Sequence, residues 1–444
     1  MAQDRVPLSY RILQTWARTA IHVIYRRTEV TGVANVPTDR PAILAANHSN
    51  ALADIAVIVA KTPRFPRFLA AASWWKSAPA RVLFRLGGVV PIHRSRDGTG
   101  TSHNRSTFEA CHAALAAGAH IAIFPEGEMH LEPALMPLKT GAARIALGAA
   151  TDAAVRGIVI VPVGIVYEHR GRFRSDVEMR FGEPIEVDEW VDRARVDSRK
   201  AARELTDLLA DRLAAVTVNH GSHAEAELLD RVAALVTSDI NAKAPHSFAR
   251  RNELRRELAS ATSLSAGRSG APDDKLASAV AVHDKDLDEL GISRAEKAPP
   301  LTQPSDKERS RLDMELALLG PPAVLGLVAN APVILGAALA KTRATHESWK
   351  TTTMGVTGTF LCPVVWTFEY AYLAHRLGSR RALTLTVSGA LGGLAAVAWR
   401  DRFVHRREIT RLDRVTRDRP DKLAAAQASR EVIREHVIAL TGKT

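Results

Sequence analysis

The stretch Ala42-Ile43-Leu44-Ala45-Ala46-Asn47-His48-Ser49-Asn50-Ala51-Leu52-Ala53-Asp54 decides how this chain is read. Five apolar residues without a polar break read as a strand buried on both faces. The polar cluster Asn47-His48-Ser49-Asn50 is a turn, and residues 51–61 resume at helical spacing. A strand entering a helix through such a turn is half of a βαβ unit. A histidine there stands at the carboxyl end of its strand, the edge where open α/β sheets bind ligands. A neutral imidazole at that place can take a proton from an alcohol while a nearby carboxylate fixes its tautomer. A satisfied structural histidine is the other reading of the same residues.

Outward from this stretch the alternation continues. Residues 87–92, 120–125 and 157–167 read as strands, 176–181 alternates as an edge strand does, and 107–117 reads as a helix. The expected fold class is therefore α/β, a three-layer domain around a mixed, partly parallel sheet. Helical spacing over 198–218 and 224–236 carries this first domain to residue 240, giving 1–240. Residues 9–27 form an amphipathic helix with a basic face and Trp16 at its apolar edge. That helix either docks on a membrane surface or packs as a core helix. Residues 1–6 carry Asp4 and Arg5 and no apolar core, so no secretory signal is expected to start here.

Residues 241–312 read as a charged helical connector. Its cluster Arg250, Arg251, Arg255 and Arg256 either binds anionic lipid headgroups or is a solvated helix face. Over 313–404 the apolar residues concentrate, in uncharged runs of 25, 18 and 18 residues at 316–340, 351–368 and 382–399. At ~1.5 Å per residue the first spans about 37 Å, against a hydrocarbon core of ~30 Å. Membrane-embedded helices are the expectation, with buried helices of a soluble domain as the alternative. Pro321, Pro322 and Pro332 interrupt the first run and basic residues flank both sides. Helical hairpins that dip in and return to one face fit this better than three crossings. Residues 405–444 form a charged helical tail.

Composition sharpens the choice of partner. The 444 residues hold 60 Lys and Arg against 48 Asp and Glu, a net charge of +12, and 46 % hydrophobic residues exclude a disordered chain. The sequence pI near 10.0 asks for a polyanion: nucleic acid, an anionic membrane or a phosphorylated substrate. With 5 % aromatic residues and no helix-turn-helix or zinc motif, no nucleic-acid partner is expected. Two cysteines exclude a disulfide scaffold and a Cys-built zinc site. His48, His93, His103 and His130 lack metal-ligand spacing, so neither metal nor cofactor is expected.

Three further clusters lie at strand ends. Gly87-Gly88-Val89-Val90-Pro91-Ile92-His93-Arg94 ends on an arginine suited to bidentate phosphate recognition, or to a surface ion pair. Phe124-Pro125-Glu126-Gly127 is followed by Met136-Pro137-Leu138-Lys139-Thr140-Gly141, and Ile160-Val161-Pro162-Val163 lies in a fourth strand. Four such clusters describe one site assembled from loops.

With these four blocks in order, residues of about 30–215 resemble the glycerolipid acyltransferase family, the glycerol-3-phosphate and lysophosphatidic acid acyltransferases. The resemblance implies that His48 is the general base on an acceptor hydroxyl and that Asp54 orients it. It further implies that Arg94, Glu126 and Gly127 hold a glycerol-phosphate acceptor and that Lys139 adds positive charge. The donor would be acyl-CoA or acyl-ACP (acyl carrier protein), and transfer would be direct, without a Ser or Cys nucleophile. It implies a membrane enzyme in contact with anionic lipids, its catalytic domain on the cytoplasmic face. Five residues separate His48 from Asp54, one more than the common pattern, which resembles a subgroup of large chains with C-terminal hydrophobic segments. That subgroup reads Phe-Pro-Glu-Gly-Gly-Ser-His, whereas Glu128 and Met129 stand here in place of Gly and Ser. Another lipid acceptor therefore stays open, and so does a non-catalytic membrane scaffold that keeps the fold.

Overall fold

In the computed structural model, β2 (Ala42–Ala46) is wholly buried. Parallel neighbours flank it on both sides, with Ala42 level with His120 of β5 (His120–Ile123) and with Val159 of β6 (Val159–Tyr167). The structure describes residues 7–71, 81, 84, 85, 87–92, 102–238, 247–265, 274–292, 301 and 304–442. The sheet is completed by β1 (Arg27–Thr31), β3 (Arg67–Ala71), β4 (Val90–Ile92), β7 (Asp176–Phe181) and β8 (Ile185–Glu186). Its order is β1-β7-β6-β2-β5-β3-β4, with β8 against β6. The β6–β7 and β6–β8 pairs are antiparallel and the other pairings parallel, so the sheet is mixed as expected.

Side chains alternate across β2. Ile43 and Ala45 enter a core shared with α3 (Ser102–Ala116), α4 (Gly141–Thr151) and α6 (Ser198–Val216). Leu44 and Ala46 point to the opposite face and are equally buried, as are Val57 and Ile58 of α2 (Ala51–Lys61). A strand closed on both faces is the middle layer of three. The short α5 (Val191–Val196) adds Val191 and Ala194 to the first face.

Three local differences from the sequence reading have simple causes. α1 (Leu8–Ile24) stops short of residue 27 because Arg27 pairs with Asp176 at the start of β1, a strand too polar to signal itself. Only 90–92 of the run 87–92 is strand, since Gly87 and Gly88 form a turn with Gly88 at φ +59°. The short β3 carried no alternation that would reveal it. α1 itself buries Ala17 and Ile21, and its Gln14 donates to the carbonyls of Val59 and Thr62.

The chain separates into two compact units, with the first ending at Val218. The sequence boundary at 240 falls later because α7 (His223–Thr237) continues the helical pattern. Its apolar face instead joins α8 (Phe248–Ser265), α9 (Asp274–Glu289) and α14 (Pro420–Thr441) through Leu229, Val232, Leu258, Leu276 and Ile433. Residues 241–312 thus contribute packed helices rather than only an exposed connector. Arg251 and Arg255 lie inside this bundle against Asp230, at 2.6 and 3.6 Å, so these two do not form a solvated face.

The remaining helices of the second unit are α10 (Asp306–Ala329), α11 (Ala331–Arg343), α12 (Glu347–Leu377) and α13 (Ser379–Asp418). α10 and α13 pair antiparallel. Arg309–Asp413, Asp313–Arg406 and Glu315–Arg402 form charged rungs at one end. Beyond Leu316 the interface turns apolar and the backbones touch at Gly326 and Gly392, where a side chain would collide with main chain. The 25-residue run is not one helix: it breaks at Asn330, whose Nδ2 donates to the carbonyls of Gly326 and Gly389 and whose Oδ1 accepts from Trp366 Nε1. Among the described residues, two helices, α10 and α13, are long and apolar enough to cross a membrane. α12 does not join them, being diluted by five threonines between 351 and 359 and by Lys350 and Glu369.

Candidate active site

β2, β5 and β6 run parallel, so their carboxyl ends open on one edge of the sheet. His48 follows β2, Glu126 and Gly127 follow β5, and Tyr167 ends β6. The β2–α2 turn passes through a left-handed residue at Ala51 (φ +45°), a conformation that strains a non-glycine. Asn47 anchors the turn to β6, its Nδ2 donating to Ile165 O at 3.0 Å and its Oδ1 accepting from Ile165 N at 2.7 Å.

Asp54 lies in the first turn of α2, and its carboxylate folds back over the turn. Oδ2 accepts from the backbone N–H groups of Ser49 and Asn50 at 2.9 and 2.8 Å and faces His48 Nδ1 at 2.9 Å. Oδ1 accepts from the Tyr167 hydroxyl at 2.7 Å. The buried carboxylate thus accepts from two backbone amides and one hydroxyl at the positive end of the helix dipole. A carboxylate only accepts, so the His48 proton sits on Nδ1 and Nε2 is the basic nitrogen. The imidazole stacks on Phe124 with centroids 4.1 Å apart and keeps about a fifth of its surface exposed. A hydrogen-bonded, oriented and still reachable imidazole is the equipment of a general base.

Glu126 is also buried. Its Oε1 accepts from His48 N at 3.0 Å, while Oε2 accepts from Met136 N at 3.0 Å and pairs with the ring of His130. One carboxylate thus ties together the turn after β2, the turn after β5 and the segment leading to α4. Gly127 has φ +79°, and a methyl group there would lie 2.7 Å from Lys139 Cδ. The lysine is thereby laid across the glycine, while its backbone N–H donates to Pro125 O at 2.8 Å. Met129 Sδ accepts from Ala51 N at 3.2 Å, so this residue closes against the turn that carries His48.

His48, Asp54, Glu126, Gly127 and Lys139 are therefore gathered along one edge, and Arg94 lies outside the described residues. Sequence reasoning missed Tyr167 and Asn47. Asn47 opens the motif but was given no role, whereas Tyr167 lies 113 positions from its partner and reads simply as the end of a strand. Cys111 is enclosed in α3, where burial pushes its thiol up to about 12, unsuited to supplying a thiolate nucleophile.

Residues 27–166 match the family described as Acyltransferase. Similar curated proteins include glycerol-3-phosphate O-acyltransferase 2 of Saccharomyces cerevisiae, 37 % identical over 117 residues, covering 26 % of this chain and 16 % of the relative. Glycerol-3-phosphate O-acyltransferase 1 of the same yeast is 34 % identical over 134 residues, 30 % of this chain and 18 % of the relative. An uncharacterized acyltransferase of Schizosaccharomyces pombe is 38 % identical over 106 residues, 23 % of this chain and 16 % of the relative. The chain thus spans less than a fifth of the length of these relatives. The crystal structure of the 1-acyl-sn-glycerophosphate (LPA) acyltransferase PlsC from Thermotoga maritima aligns with 46 % of this chain and 77 % of its own, at 18 % identity and a TM-score of 0.36. Residues 27–166 are thus similar to an acyltransferase domain.

Proposed function

We propose that this chain is a membrane-bound acyltransferase, moving a fatty acyl group from an acyl thioester to a hydroxyl of a glycerol-phosphate acceptor. The observation that carries the reading is the His48–Asp54 pair, held by backbone donors at the carboxyl end of a parallel strand. His48 Nε2 takes the hydroxyl proton as the oxygen attacks the thioester carbonyl. The tetrahedral adduct then collapses, the C–S bond breaks, and the leaving thiolate takes the proton from the imidazolium. Asp54 holds the Nδ1 proton throughout and offsets the imidazolium charge.

Lys139 and Arg94 supply positive charge for the acceptor phosphate, and Gly127 lets the lysine lie close to the turn. Glu126 contributes by fixing the loops around the acceptor, since both its oxygens are engaged by protein groups. Membrane attachment is supported by α10 and α13, whose Leu318, Val324, Val328 and Leu391 are each more than half exposed. Glycerol-3-phosphate and lysophosphatidic acid are the acceptors to try first, because two of the similar proteins are named for the former. The donor is acyl-CoA or acyl-ACP, and the catalytic domain faces the cytoplasm.

The test is transfer of labelled acyl groups by membranes carrying the full chain, with each donor and a panel of lysophospholipid and glycerol-phosphate acceptors. His48→Ala is expected to lose about 10²–10⁴-fold in kcat, the contribution of a positioned general base. Full transfer by that variant would overturn the reading.

A further inference from the structure

The Asp54 carboxylate is loaded unequally. Oδ2 serves His48 and two backbone amides, whereas Oδ1 faces the hydroxyl of Tyr167, on a strand remote in sequence. Both residues are buried, so no bulk water replaces a donor lost from Oδ1. Tyr167 lies one residue past the segment that matches the family. It is the last residue of β6, and its neighbour Ile165 is locked to Asn47 by paired hydrogen bonds. The turn bearing His48 and the strand bearing Tyr167 are thereby held in register.

We infer that Tyr167 is a positioning residue for the His48–Asp54 pair, acting through Asp54 and touching neither substrate. Its O–H spreads the carboxylate charge and prevents rotation about the Cβ–Cγ bond. The share of charge left on Oδ2 then sets how strongly the carboxylate stabilises the imidazolium at His48. The inference rests on the acyl-transfer reading for its consequence in turnover, though not for its effect on the histidine.

In Tyr167→Phe, Oδ1 loses its donor and Oδ2 draws the imidazolium more strongly. His48 is then expected to hold its proton to higher pH. The other titratable groups of the site, Glu126, His130 and Lys139, remain in place. In the full chain, kcat is expected to fall about 10–50-fold with both KM values within twofold, because a carboxylate free to rotate lets the imidazole turn away from the acceptor hydroxyl. The acid limb of kcat/KM is expected to rise by about half a unit to one unit.

Histidine-selective NMR, with the His48 signal identified by its loss in His48→Ala, reads the same shift without turnover. Combining Tyr167→Phe with Asp54→Ala is expected to add nothing to the loss caused by Asp54→Ala alone. An unmoved His48 titration, a KM effect without a kcat effect, or additive losses in the double variant would each overturn the inference. If the parent chain transfers no acyl group, the functional reading fails and the NMR titration still decides the role of Tyr167. If Tyr167→Phe fails to fold, 3-fluorotyrosine in place of tyrosine strengthens the phenol donor without removing it, and a His48 NMR titration that does not move to lower pH overturns the inference.

Discussion

Replacing Glu126 by glutamine separates a loop clamp from an acceptor-binding group. The side chain keeps its shape, but the amide offers one carbonyl oxygen where the carboxylate offers two. In the structure those oxygens meet backbone N–H groups at opposite ends, His48 N and Met136 N, each at 3.0 Å. The amide can serve one of them and turns an NH2 group toward the other. A hydrogen bond to a charged group is worth about 1.5–3 kcal/mol, and a buried donor left unpaired costs about 1–3 kcal/mol. These overlap, so the expected loss is about 2–4 kcal/mol. For a domain of this size that is about 5–15 °C in the melting temperature. The turn carrying His48 then loosens at its own amide, and a misplaced base is expected to lower kcat about 10–100-fold. The acceptor KM is expected to stay within about threefold. Melting curves and saturation kinetics on the purified full chain measure all three quantities. An unchanged melting temperature with an acceptor KM raised more than about tenfold would refute the clamp and place the carboxylate on the acceptor.

Further outcomes follow from the same geometry. Gly127→Ala forces a left-handed alanine, costing about 1 kcal/mol, and displaces the Lys139 side chain that lies against it. Its acceptor KM is expected to rise more than its kcat falls, and kinetics like those of the parent chain would remove Lys139 from the acceptor site. Burial lowers His120, His220 and His283 from the usual value to about 4, so each is neutral in the folded chain well below neutral pH. The unfolded chain takes up these protons near pH 6.5, so stability is complete above that pH and falls between about 6.5 and 4. Each site contributes up to about 3 kcal/mol of that loss. Urea unfolding at pH 7 and at pH 4.5 checks it, and equal midpoints would contradict the burial argument.

Much of the candidate site was legible because its pieces are local. Ala42–Ala46 reads as a strand enclosed on both sides, and the turn after it sets His48 six positions before Asp54 in the first turn of α2. The Phe-Pro-Glu-Gly turn likewise declares itself through Pro125 and Gly127, because a positive φ needs glycine. The fold class followed from the same alternation, whereas the polar edge strand β1 and the short β3 carried too little pattern to be seen.

What only the tertiary structure decided is where side chains and apolar runs meet across distance. The sequence marks Glu126 as a site carboxylate, but parallel pairing of β2 and β5 brings it beneath the His48 amide and makes it a tie between loops. Tyr167 has no local signal at all, since only the pairing of β6 with β2 carries its hydroxyl to Asp54. The arginines 251 and 255 read as a lipid-binding or solvated cluster, whereas both pair with Asp230 of another helix inside a bundle. The apolar run 316–340 could be counted in the sequence, but its break at Asn330 depends on Gly389 and Trp366 satisfying that amide from other helices. Periodicity and turn chemistry are properties of neighbours along the chain. Hydrogen-bond satisfaction and charge compensation are properties of neighbours in space, and those exist only once the chain has packed.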